Sequence, residues 1–494
     1  MTSTTIAWLR NDLRLTDNPA LSAAMRAGTR VIALYVHETA HGVRPPGAAA
    51  RWWLHHSLQT LERDLAALGV ELTVRAGEPG GIIADLVRDN TVAAVFWNRR
   101  YAPGEVLVDA AIKTWLINQG VATQSFGANV LIEPCDIATG QGQPYSVFTP
   151  FWKSLRQRAI ALPLQQPSAR LPRQPQPVDT DYHEPRWATK LGGHWYFGEV
   201  AAQRTLADFL DHRVTSYPQG RDFPDSDASS GLSPHLRFGE ISPRQIWHTA
   251  TMAAQMVPEK AAGIGKFLSE LAWRDFSYHQ LYHRRDIATE PMQPKYGNMA
   301  WREADDEFAA WTSGMTGLPI IDAGMRELWE TGSMHNRVRM LVASLLTKNL
   351  LIDWRRGEQW FWDCLVDSDR ASNPASWQWV AGSGLDAAPY FRIFNPVTQG
   401  SRFDAAGGYV RRWVPELAAL PDQWLHNPWE APQQALAAAG VRLGVTYPAP
   451  IVDLKASRVR ALEAAAALQR NDLAPKSASR IGVAPAGGGA ESSA

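Results

Sequence analysis

The first 130 residues alternate short apolar runs with amphipathic stretches. β-Branched and aromatic residues are concentrated in the apolar runs, which predicts strands at 4–9, 30–36, 70–75, 92–97 and 121–126. Between them, apolar residues recur at intervals of three and four, which predicts helices at 17–27, 51–68, 80–89 and 105–119. This alternation indicates an α/β domain, a doubly wound parallel sheet that binds ligands at the carboxyl ends of its strands.

The pattern changes twice after residue 130. The segment 162–178 is rich in proline and lacks apolar periodicity, as expected of an extended surface linker. Helical spacing then continues without convincing strands, which predicts an all-α domain, and the last residues are rich in Ala, Gly and Ser. We therefore expect an α/β domain, a linker, a helical domain and a disordered tail at 1–130, 131–195, 196–455 and 471–494.

Length, charge and cysteine content narrow the class of protein. A chain of 494 residues is expected to form two domains. Its 49 basic and 49 acidic residues cancel, which argues against a protein that binds nucleic acid with its whole surface but allows a local basic patch. Cys135 and Cys364 are the only cysteines, which fits a reducing cytosol and excludes a disulfide framework.

Several kinds of segment and site are missing from the sequence. No apolar run reaches the roughly 18 residues of a membrane span, and charged residues interrupt the N-terminal run, so neither a membrane segment nor a signal peptide is expected. The glycine patterns of dinucleotide and P-loop sites do not occur, and neither do the His and Cys spacings of metal sites. We expect a cytoplasmic, monomeric enzyme without a metal.

Tryptophan is unusually frequent in this chain. There are 21 Trp, more than the 15 Phe or the 12 Tyr. Large aromatic rings mostly fill cores. The excess also fits stacking of the rings on nucleobases, on a flavin or on one another.

Polar residues with candidate chemistry are concentrated at 333–379. Three of them share one face of a predicted helix by their spacing: Asn336, Arg339 and Met340. Arg337 points elsewhere. Asp367 could pair with Arg339 across the fold. Asp367 and Asp369 could equally cap a helix, and the two roles are compatible.

Two further stretches combine polar and aromatic groups. Residues 229–233, S-S-G-L-S, offer hydroxyls and a glycine ahead of a helix, and could hold a phosphate or merely cap that helix. On the predicted helix at 260–283, four residues form one stripe by their spacing: Phe267, Glu270, Trp273 and Arg274. A carboxylate on such a face serves a ligand, pairs with Arg274 or lies at a half-exposed edge.

Six motifs in order make residues 4–455 resemble the photolyase/cryptochrome family. They are W-L-R-N-D-L-R-L-T-D-N-P-A-L (8–21), Y-S-V-F-T-P-F-W-K (145–153), Y-P-Q-G-R-D-F-P (217–224), S-S-G-L-S-P-H-L-R-F-G-E-I-S-P-R (229–244), F-L-S-E-L-A-W-R-D-F (267–276) and the region 333–379. The resemblance implies an all-α, FAD-binding C-terminal domain behind the α/β domain. The chain departs from the family in having Ser229 where Thr is usual and Gly231 where Arg is frequent.

The resemblance implies that FAD is held by residues of all the helical motifs: Tyr217, Ser229, Ser230, Gly231, Leu232, Ser233, Phe267, Arg274, Asn336, Arg339, Asp367, Asp369 and Asn373. Asn336 would face flavin N5, where the family has Asn in repair enzymes, Asp in plant cryptochromes and commonly Cys in animal ones. An amide there can donate to N5 without titrating, which favours the reduced anionic flavin.

The resemblance also implies a DNA substrate. Trp273 and Trp379 would stack on a flipped-out pyrimidine dimer, and Glu270 would hydrogen-bond its base and stabilise the dimer radical anion. Met340 would contact the dimer, although a core methionine is the plain alternative. Two arginines match DNA-phosphate contacts of the family, and two more flank the predicted pocket: Arg221, Arg337, Arg392 and Arg402.

Electron transfer and light harvesting complete the set of implied roles. Three tryptophans align with the family's electron-transfer chain from the flavin edge to the surface: Trp377, Trp354 and Trp301. Many relatives bind a second, light-harvesting chromophore. Glu105 matches a glutamate that contacts the pterin in folate-binding relatives, although their neighbouring Asn is Gly104 here. Methenyltetrahydrofolate is therefore favoured over deazaflavin as the antenna.

The implied activity is light-driven repair of cyclobutane pyrimidine dimers in DNA, a carbon–carbon lyase reaction driven by electron transfer from excited, reduced FAD. A blue-light photoreceptor of the cryptochrome type, which signals to a protein partner, is the alternative, because it would use the same pocket and tryptophans. Five residues favour repair: Asn336, Glu270, Trp273, Met340 and Trp379. A photolyase for (6-4) photoproducts is disfavoured, because the iron–sulfur branch of that activity needs four cysteines. A purely structural DNA-binding protein would not explain the paired aspartates.

Overall fold

The computed structural model describes residues 3–284, 286–387 and 392–473. Most of the tail predicted at 471–494 lies outside these residues. The α/β domain contains five strands: β1 Thr4–Leu9, β2 Arg30–Glu38, β3 Glu71–Gly77, β4 Val92–Asn98 and β5 Ala122–Phe126. They form one parallel sheet in the order β3-β2-β1-β4-β5, with Ile6 of β1 opposite Ile32 and Val95. The predicted doubly wound sheet is confirmed.

Four helices connect these strands: α1 Pro19–Ala27, α2 Ala48–Ala67, α3 Pro79–Asn90 and α4 Pro103–Asn118. Every predicted strand and helix of this domain is present, with ends within three residues of the prediction. β1 is buried on both faces, because Ala7 and Leu9 belong to the apolar cluster of α1 and α2, whereas Ile6 and Trp8 belong to that of α3 and α4. Burial of both faces explains why the strands read as continuous apolar runs.

The connector between the domains is partly helical. Helix α5, Phe148–Leu155, buries Phe148, Phe151 and Leu155 in the core of the helical domain. The segment 162–178 has no helix or strand, as predicted for a linker, and lies along the α/β domain. Arg170 donates to the backbone oxygens of Met25 and Thr29 and anchors the segment there.

The rest of the described chain is helical: α6 Glu199–Asp208, α7 Tyr217–Gly220, α8 Ser233–Phe238, α9 Pro243–Met256, α10 Ala261–His283, α11 Asp305–Thr312, α12 Pro319–Thr331, α13 Asn336–Ser344, α14 Trp354–Cys364, α15 Ser372–Ala381, α16 Pro396–Phe403, α17 Gly408–Trp413, α18 Asp422–Leu425, α19 Gln433–Ala438 and α20 Leu454–Leu473. One apolar core packs α12–α15 and α17, and a second packs α5, α6, α9 and α10. No helix in the described ranges is long and apolar enough to cross a membrane.

Candidate functional site

A cavity of about 560 Å³ opens in the helical domain among α8, α10, α13 and α15. This volume is typical of small-molecule sites, about 300–1,000 Å³. Four distant parts of the chain bring most of the candidate residues to its wall: Tyr217, Arg221, Ser230, Leu232, Ser233, Phe267, Glu270, Trp273, Arg274, Asn336, Arg339, Met340, Asp367, Asp369, Asn373, Trp377 and Trp379. Arg237 and Gln280 also line it and were missed, although Arg237 stands inside the motif 229–244.

Helix α10 presents its predicted stripe to this cavity. Phe267, Glu270, Trp273 and Arg274 all line the wall, which confirms that they share a face. The Glu270 carboxylate forms ion pairs with Arg221 and, at 2.8 Å, with Lys266. The Glu270 carboxylate therefore does form a salt bridge, as one of the alternatives expected, but with Arg221 and Lys266 rather than with Arg274. The half-buried Glu270 carboxylate thus has two cationic partners at the edge of the cavity.

Arg274 is held by groups other than Glu270. Its Nη1 donates to the backbone oxygen of Asn129 at 2.6 Å, and its guanidinium lies over the ring of Tyr278, 4.7 Å from the centroid. Burial lowers the pKa of Arg274, but nearby Tyr278 and Asp369 outweigh it, so the pKa lies above its usual value. Arg274 is therefore a fixed positive charge in the cavity wall.

Helix α13 confirms the predicted division of its residues. Asn336, Arg339 and Met340 line the cavity, whereas Arg337 is turned to Asp222, with 2.8 Å between Nη2 and Oδ1. Arg337 also lies over the ring of Phe403, 4.4 Å from the centroid. Asn336 is the first residue of the helix and its side chain is exposed.

Asp367 connects three elements around the cavity. Arg339 Nη2 donates to its Oδ2 at 2.9 Å, which confirms the predicted pair, and Ser233 Oγ donates to the same oxygen at 2.7 Å. Oδ1 of Asp367 is buried and accepts no hydrogen bond within the described part of the chain. A buried carboxylate oxygen is costly without a donor, so this atom is suited to a ligand that supplies one.

Asp369 caps a helix, as the alternative interpretation of the aspartates allowed. Its Oδ1 accepts from the backbone N–H groups of Ala371 and Ser372 at the start of α15, and its Oδ2 accepts from Tyr278 at 2.6 Å. Burial raises its pKa, but the positive charges of Arg274 and Arg237 outweigh burial and hold the pKa below its usual value. Asp369 is thus ionised and rigid.

Asn373 is a buried amide in the cavity wall. It is 8% exposed and lies on α15, one turn before Trp377. Its Nδ2 donates to the backbone oxygen of Glu358 at 3.1 Å and to Glu358 Oε1 at 2.8 Å. Asn336, predicted to face flavin N5, lies exposed at a helix start, whereas Asn373 is buried in the same cavity wall.

The segment 229–233 contributes only part of its length to the cavity. Ser230, Leu232 and Ser233 line the wall; Ser229 is exposed, and Gly231 adopts a left-handed conformation with φ of +70°. Arg237, one turn into α8, lies in the wall and is 7% exposed. Its guanidinium joins Asn11 of the α/β domain to the backbone oxygen of Ser368. It adds a positive charge to the cavity wall.

The candidate electron-transfer tryptophans share one apolar core. Trp377 lines the cavity, is 2% exposed and contacts Phe361 edge-on, with ring centroids 5.0 Å apart. Trp354 is fully buried, and Trp301 is half-buried at the edge of the same cluster. Trp377 thus lies at the cavity wall and Trp301 at the edge of the cluster, and the electron path through the three rings stays a prediction.

The candidate substrate clamp lies at the cavity wall. Trp273 and Trp379 are both half-buried. One face of Trp273 is covered by Phe148 of α5, with centroids 3.8 Å apart and planes 10° from parallel. Of the flanking arginines, Arg392 and Arg402 are exposed. The Arg392 guanidinium lies over the ring of Phe394, and that of Arg402 over the ring of Phe403.

Glu105, for which a pterin contact is predicted, is engaged by protein groups in the structure, and the pterin contact stays a prediction. The side chain is 4% exposed, its carboxylate pairs with Arg370 at 2.7 Å, and it accepts from the backbone N–H of Ala102. Burial raises its pKa, but Arg370 and Arg100 outweigh burial and lower it below its usual value. A Cβ on Gly104 would lie 2.0 Å from the backbone oxygen of Gly42, so the loop 39–47 fills the space where relatives have Asn.

A second cavity of about 560 Å³ lies in the helical domain among α11, α12, α14 and α17. Trp329 and Trp360 line it with their rings 10° from parallel and centroids 6.3 Å apart. Trp413 also lines it, and its buried indole Nε1 has no hydrogen-bond partner among the described residues. The sequence alone does not bring these tryptophans together, because they are far apart in the chain.

Comparison with known proteins agrees with this geometry. Residues 5–173 match the family model of DNA photolyase, and residues 267–467 match that of the FAD binding domain of DNA photolyase. The fold and cavity thus define a two-domain flavoprotein. The chain is 45% identical over 480 residues to a deoxyribodipyrimidine photo-lyase of Agrobacterium fabrum, which covers 95% of this chain and 99% of the relative.

Two further comparisons bear on the subgroup. Cryptochrome-1 of Arabidopsis thaliana is 36% identical over 494 residues, 96% of this chain and 72% of the relative. The crystal structure of a bacterial class III photolyase from Agrobacterium tumefaciens superposes with a TM-score of 0.91 at 46% identity, over 95% of this chain and 98% of that one. The chain belongs to the photolyase/cryptochrome family.

Proposed function

We propose that this protein is a deoxyribodipyrimidine photolyase that splits cyclobutane pyrimidine dimers in DNA with FAD and light. The observation that carries the proposal is the placement of Glu270, Trp273 and Trp379 on the wall of the flavin-binding cavity. A clamp of this composition stacks on bases and hydrogen-bonds them. The 45% identical photolyase over almost the whole chain supports the same activity.

The cavity residues fit FAD. Arg237, Arg274 and Arg339 line the wall and match the two negative charges of a pyrophosphate, together with the hydroxyls of Ser230 and Ser233. The other predicted contacts that line the wall would enclose the cofactor, with the unpartnered Asp367 Oδ1 as an acceptor: Tyr217, Leu232, Phe267, Asp367, Asp369 and Asn373. Ser229 and Gly231 belong to the adjoining segment and remain predicted contacts. When bound and reduced, FAD supplies a light-excited electron to the dimer and takes it back after the ring has split.

We assign the group that faces flavin N5 to Asn373 rather than to Asn336. The Nδ2 of Asn373 is engaged by Glu358, so the end of the amide that remains for the cavity is the carbonyl oxygen. That oxygen would accept from a protonated N5 rather than donate to it. The exposed Asn336 then lies with Met340 on the substrate side.

The roles of Trp377, Trp354 and Trp301 follow from their placement. Their order from the cavity wall to the edge of one apolar core supports an electron path that reduces the bound flavin. Arg221 and Arg337 are proposed DNA-phosphate contacts, and Arg221 in addition holds Glu270. The exposed Arg392 and Arg402 are further candidates for phosphate contacts.

A cryptochrome-type photoreceptor is the second candidate, because Arabidopsis Cryptochrome-1 is similar over 96% of this chain. One experiment separates the two. Photoreduced protein is incubated with an oligothymidine that carries one cyclobutane dimer, in blue light and in darkness, and thymine absorbance is recorded. Light-dependent recovery establishes the lyase. No recovery with reduced FAD bound favours the photoreceptor.

We further propose an antenna of the folate type between Trp329 and Trp360, in place of the Glu105 position. A planar ring between two parallel rings needs a centroid separation of about 7 Å, twice a van der Waals contact of about 3.5 Å. The separation of 6.3 Å is about 0.7 Å too small. A small outward shift of the exposed Trp329 ring would close this difference. Trp360→Ala should remove a near-ultraviolet absorption band of purified protein, and Glu105→Gln should keep it. Loss of the band in Glu105→Gln but not in Trp360→Ala would instead support an antenna site at Glu105.

The domain boundaries 1–130, 131–195 and 196–455 are also retained as a proposal. The parallel sheet ends with Phe126, and the helices that form the cavity begin with α7. The connector contributes α5, whose Phe148 contacts Trp273, so it belongs functionally with the helical domain. Limited proteolysis should cut first within 162–178.

A further inference from the structure

The orientation of the Asn373 amide is determined by what its NH2 group meets. Nδ2 lies within hydrogen-bond distance of two Glu358 oxygens, the backbone carbonyl and a carboxylate oxygen. Both are acceptors only, so the opposite orientation would place the amide oxygen against two oxygens. Glu358 therefore turns the carbonyl end of Asn373 toward the cavity.

Glu358 is in turn held by a residue of the other domain. Its side chain is 3% exposed, and Arg44 donates to both carboxylate oxygens, at 2.7 Å and 2.9 Å. This paired geometry fixes the plane of the carboxylate. Without Arg44, the buried Glu358 carboxylate would lose its cationic partner, which favours a change of its position.

Arg44 belongs to the loop 39–47, which packs tightly on α14. Its guanidinium lies over the ring of Trp362, 4.0 Å from the centroid, and Trp362 Nε1 donates to the backbone oxygen of Pro45 at 2.9 Å. A Cβ on Gly47 would lie 1.9 Å from the Trp362 backbone oxygen. The loop is therefore a rigid contact between the domains rather than a surface excursion.

We propose that Arg44 and Glu358 are positioning residues that control the oxidation of the bound flavin through Asn373. Arg44 holds the Glu358 carboxylate, Glu358 holds the amide, and the amide presents its oxygen to N5. The α/β domain thereby sets a property of the redox site in the helical domain. The proposal rests on FAD binding and on the N5 assignment of the proposed function, but not on repair of DNA.

The test measures how fast the photoreduced flavin is reoxidised in air, from its absorbance after the light is switched off. Arg44→Ala and Glu358→Leu should reoxidise at least fivefold faster than the unmodified protein. Arg44→Lys should remain within about twofold, because it keeps the charge. Glu358→Gln retains the shape of the side chain and should be intermediate, which keeps the test valid where Glu358→Leu folds poorly.

A matched pair controls for general loss of stability. Arg173 and Glu62 form an ion pair of 2.6 Å with nearly the same burial, side chains 25% and 3% exposed compared with 31% and 3% for Arg44 and Glu358. This pair joins the linker to α2 and lies outside the cavity wall. Arg173→Ala should lower the thermal midpoint as Arg44→Ala does, and should leave the reoxidation rate within twofold.

A double-mutant experiment tests whether the effect of Arg44 on flavin reoxidation passes through Asn373. In an Asn373→Ala background, Arg44→Ala should add less than twofold to the reoxidation rate, because its effect passes through the amide. A full additional effect, an unchanged rate in Arg44→Ala, or an equal acceleration in Arg173→Ala would overturn the proposal. Failure of the dimer-repair assay with normal reoxidation behaviour would refute the lyase activity and leave this inference standing.

Discussion

The contact between Gly357 and Trp377 makes a specific prediction about the cavity wall. A Cβ added to Gly357, on α14, would lie 2.2 Å from Trp377 Cη2 and 2.6 Å from Leu346 Cδ2. An ordinary carbon–carbon contact is about 3.5–4.0 Å, so the indole would have to move by about 1.3–1.8 Å. Trp377 is also packed against Phe361 and Trp311, which leaves it little room.

Two opposing free energies decide the effect of Gly357→Ala. Alanine favours a helix interior over glycine by about 1 kcal/mol. Overpacking a well-filled core costs about 1–3 kcal/mol. We therefore expect a net destabilisation of up to about 2 kcal/mol. The displaced ring also lies in the cavity wall, so photoreduction of bound flavin should slow.

Gly265 on α10 provides the matched control. It is exposed, and a Cβ there meets nothing within 4 Å. Gly265→Ala should therefore show the helix preference alone and stabilise the protein by about 1 kcal/mol. The assay compares thermal midpoints and the initial rate of flavin photoreduction in blue light. If Gly357→Ala raised the midpoint as Gly265→Ala does, with photoreduction unchanged, the described packing of Trp377 would be wrong.

Three further perturbations follow from the same contacts. Burial raises the pKa of Asp275 to about 7, so between about pH 4 and 7 the folded state binds more protons than the unfolded state and stability falls as pH rises. Asp275→Asn can still accept from the Leu131 N–H and should be more stable than the unmodified protein at pH 8. Its advantage in unfolding free energy should grow by roughly 2–3 kcal/mol from pH 5 to pH 8. Equal pH dependence of the two midpoints would contradict this. Asp367→Ala removes the partner of Arg339 and should weaken retention of FAD about tenfold to a hundredfold in dialysis, since charged hydrogen bonds contribute about 1.5–3 kcal/mol. Glu270→Gln should slow dimer repair by a similar factor while leaving flavin photoreduction intact, and equal repair would exclude the base contact.

Elements whose identity depends on local pattern were predictable. The strands and helices of the α/β domain followed from apolar periodicity because that domain alternates short buried strands with amphipathic helices. The separation of Arg337 from Arg339 likewise followed from the helical repeat alone. The pairing of Arg339 with Asp367 was correct because opposite charges beside one cavity satisfy each other.

Properties that depend on the surroundings of a side chain were not predictable in the same way. Asn336 and Asn373 are the same residue type in neighbouring motifs, and only their burial separates a group at a helix start from one held by Glu358. The sequence does not show that the Glu105 carboxylate is buried beside Arg370 and Arg100, which the fold brings to it. The Glu270 carboxylate was expected to serve a ligand, to pair with Arg274 or to lie at a half-exposed edge. It is half-buried, and its ion-pair partners are Arg221 and Lys266.

The sequence by itself determined the two kinds of domain, the face that each cavity helix presents and the family to which the motifs belong, because these depend on spacing along one segment. Tertiary structure alone decided which amide lies inside the cavity, that Arg44 reaches Glu358 from the other domain, and that Trp329 and Trp360 stand parallel. Those contacts join residues distant in the chain. Their geometry and burial arise only when the elements pack, and periodicity carries no information about them.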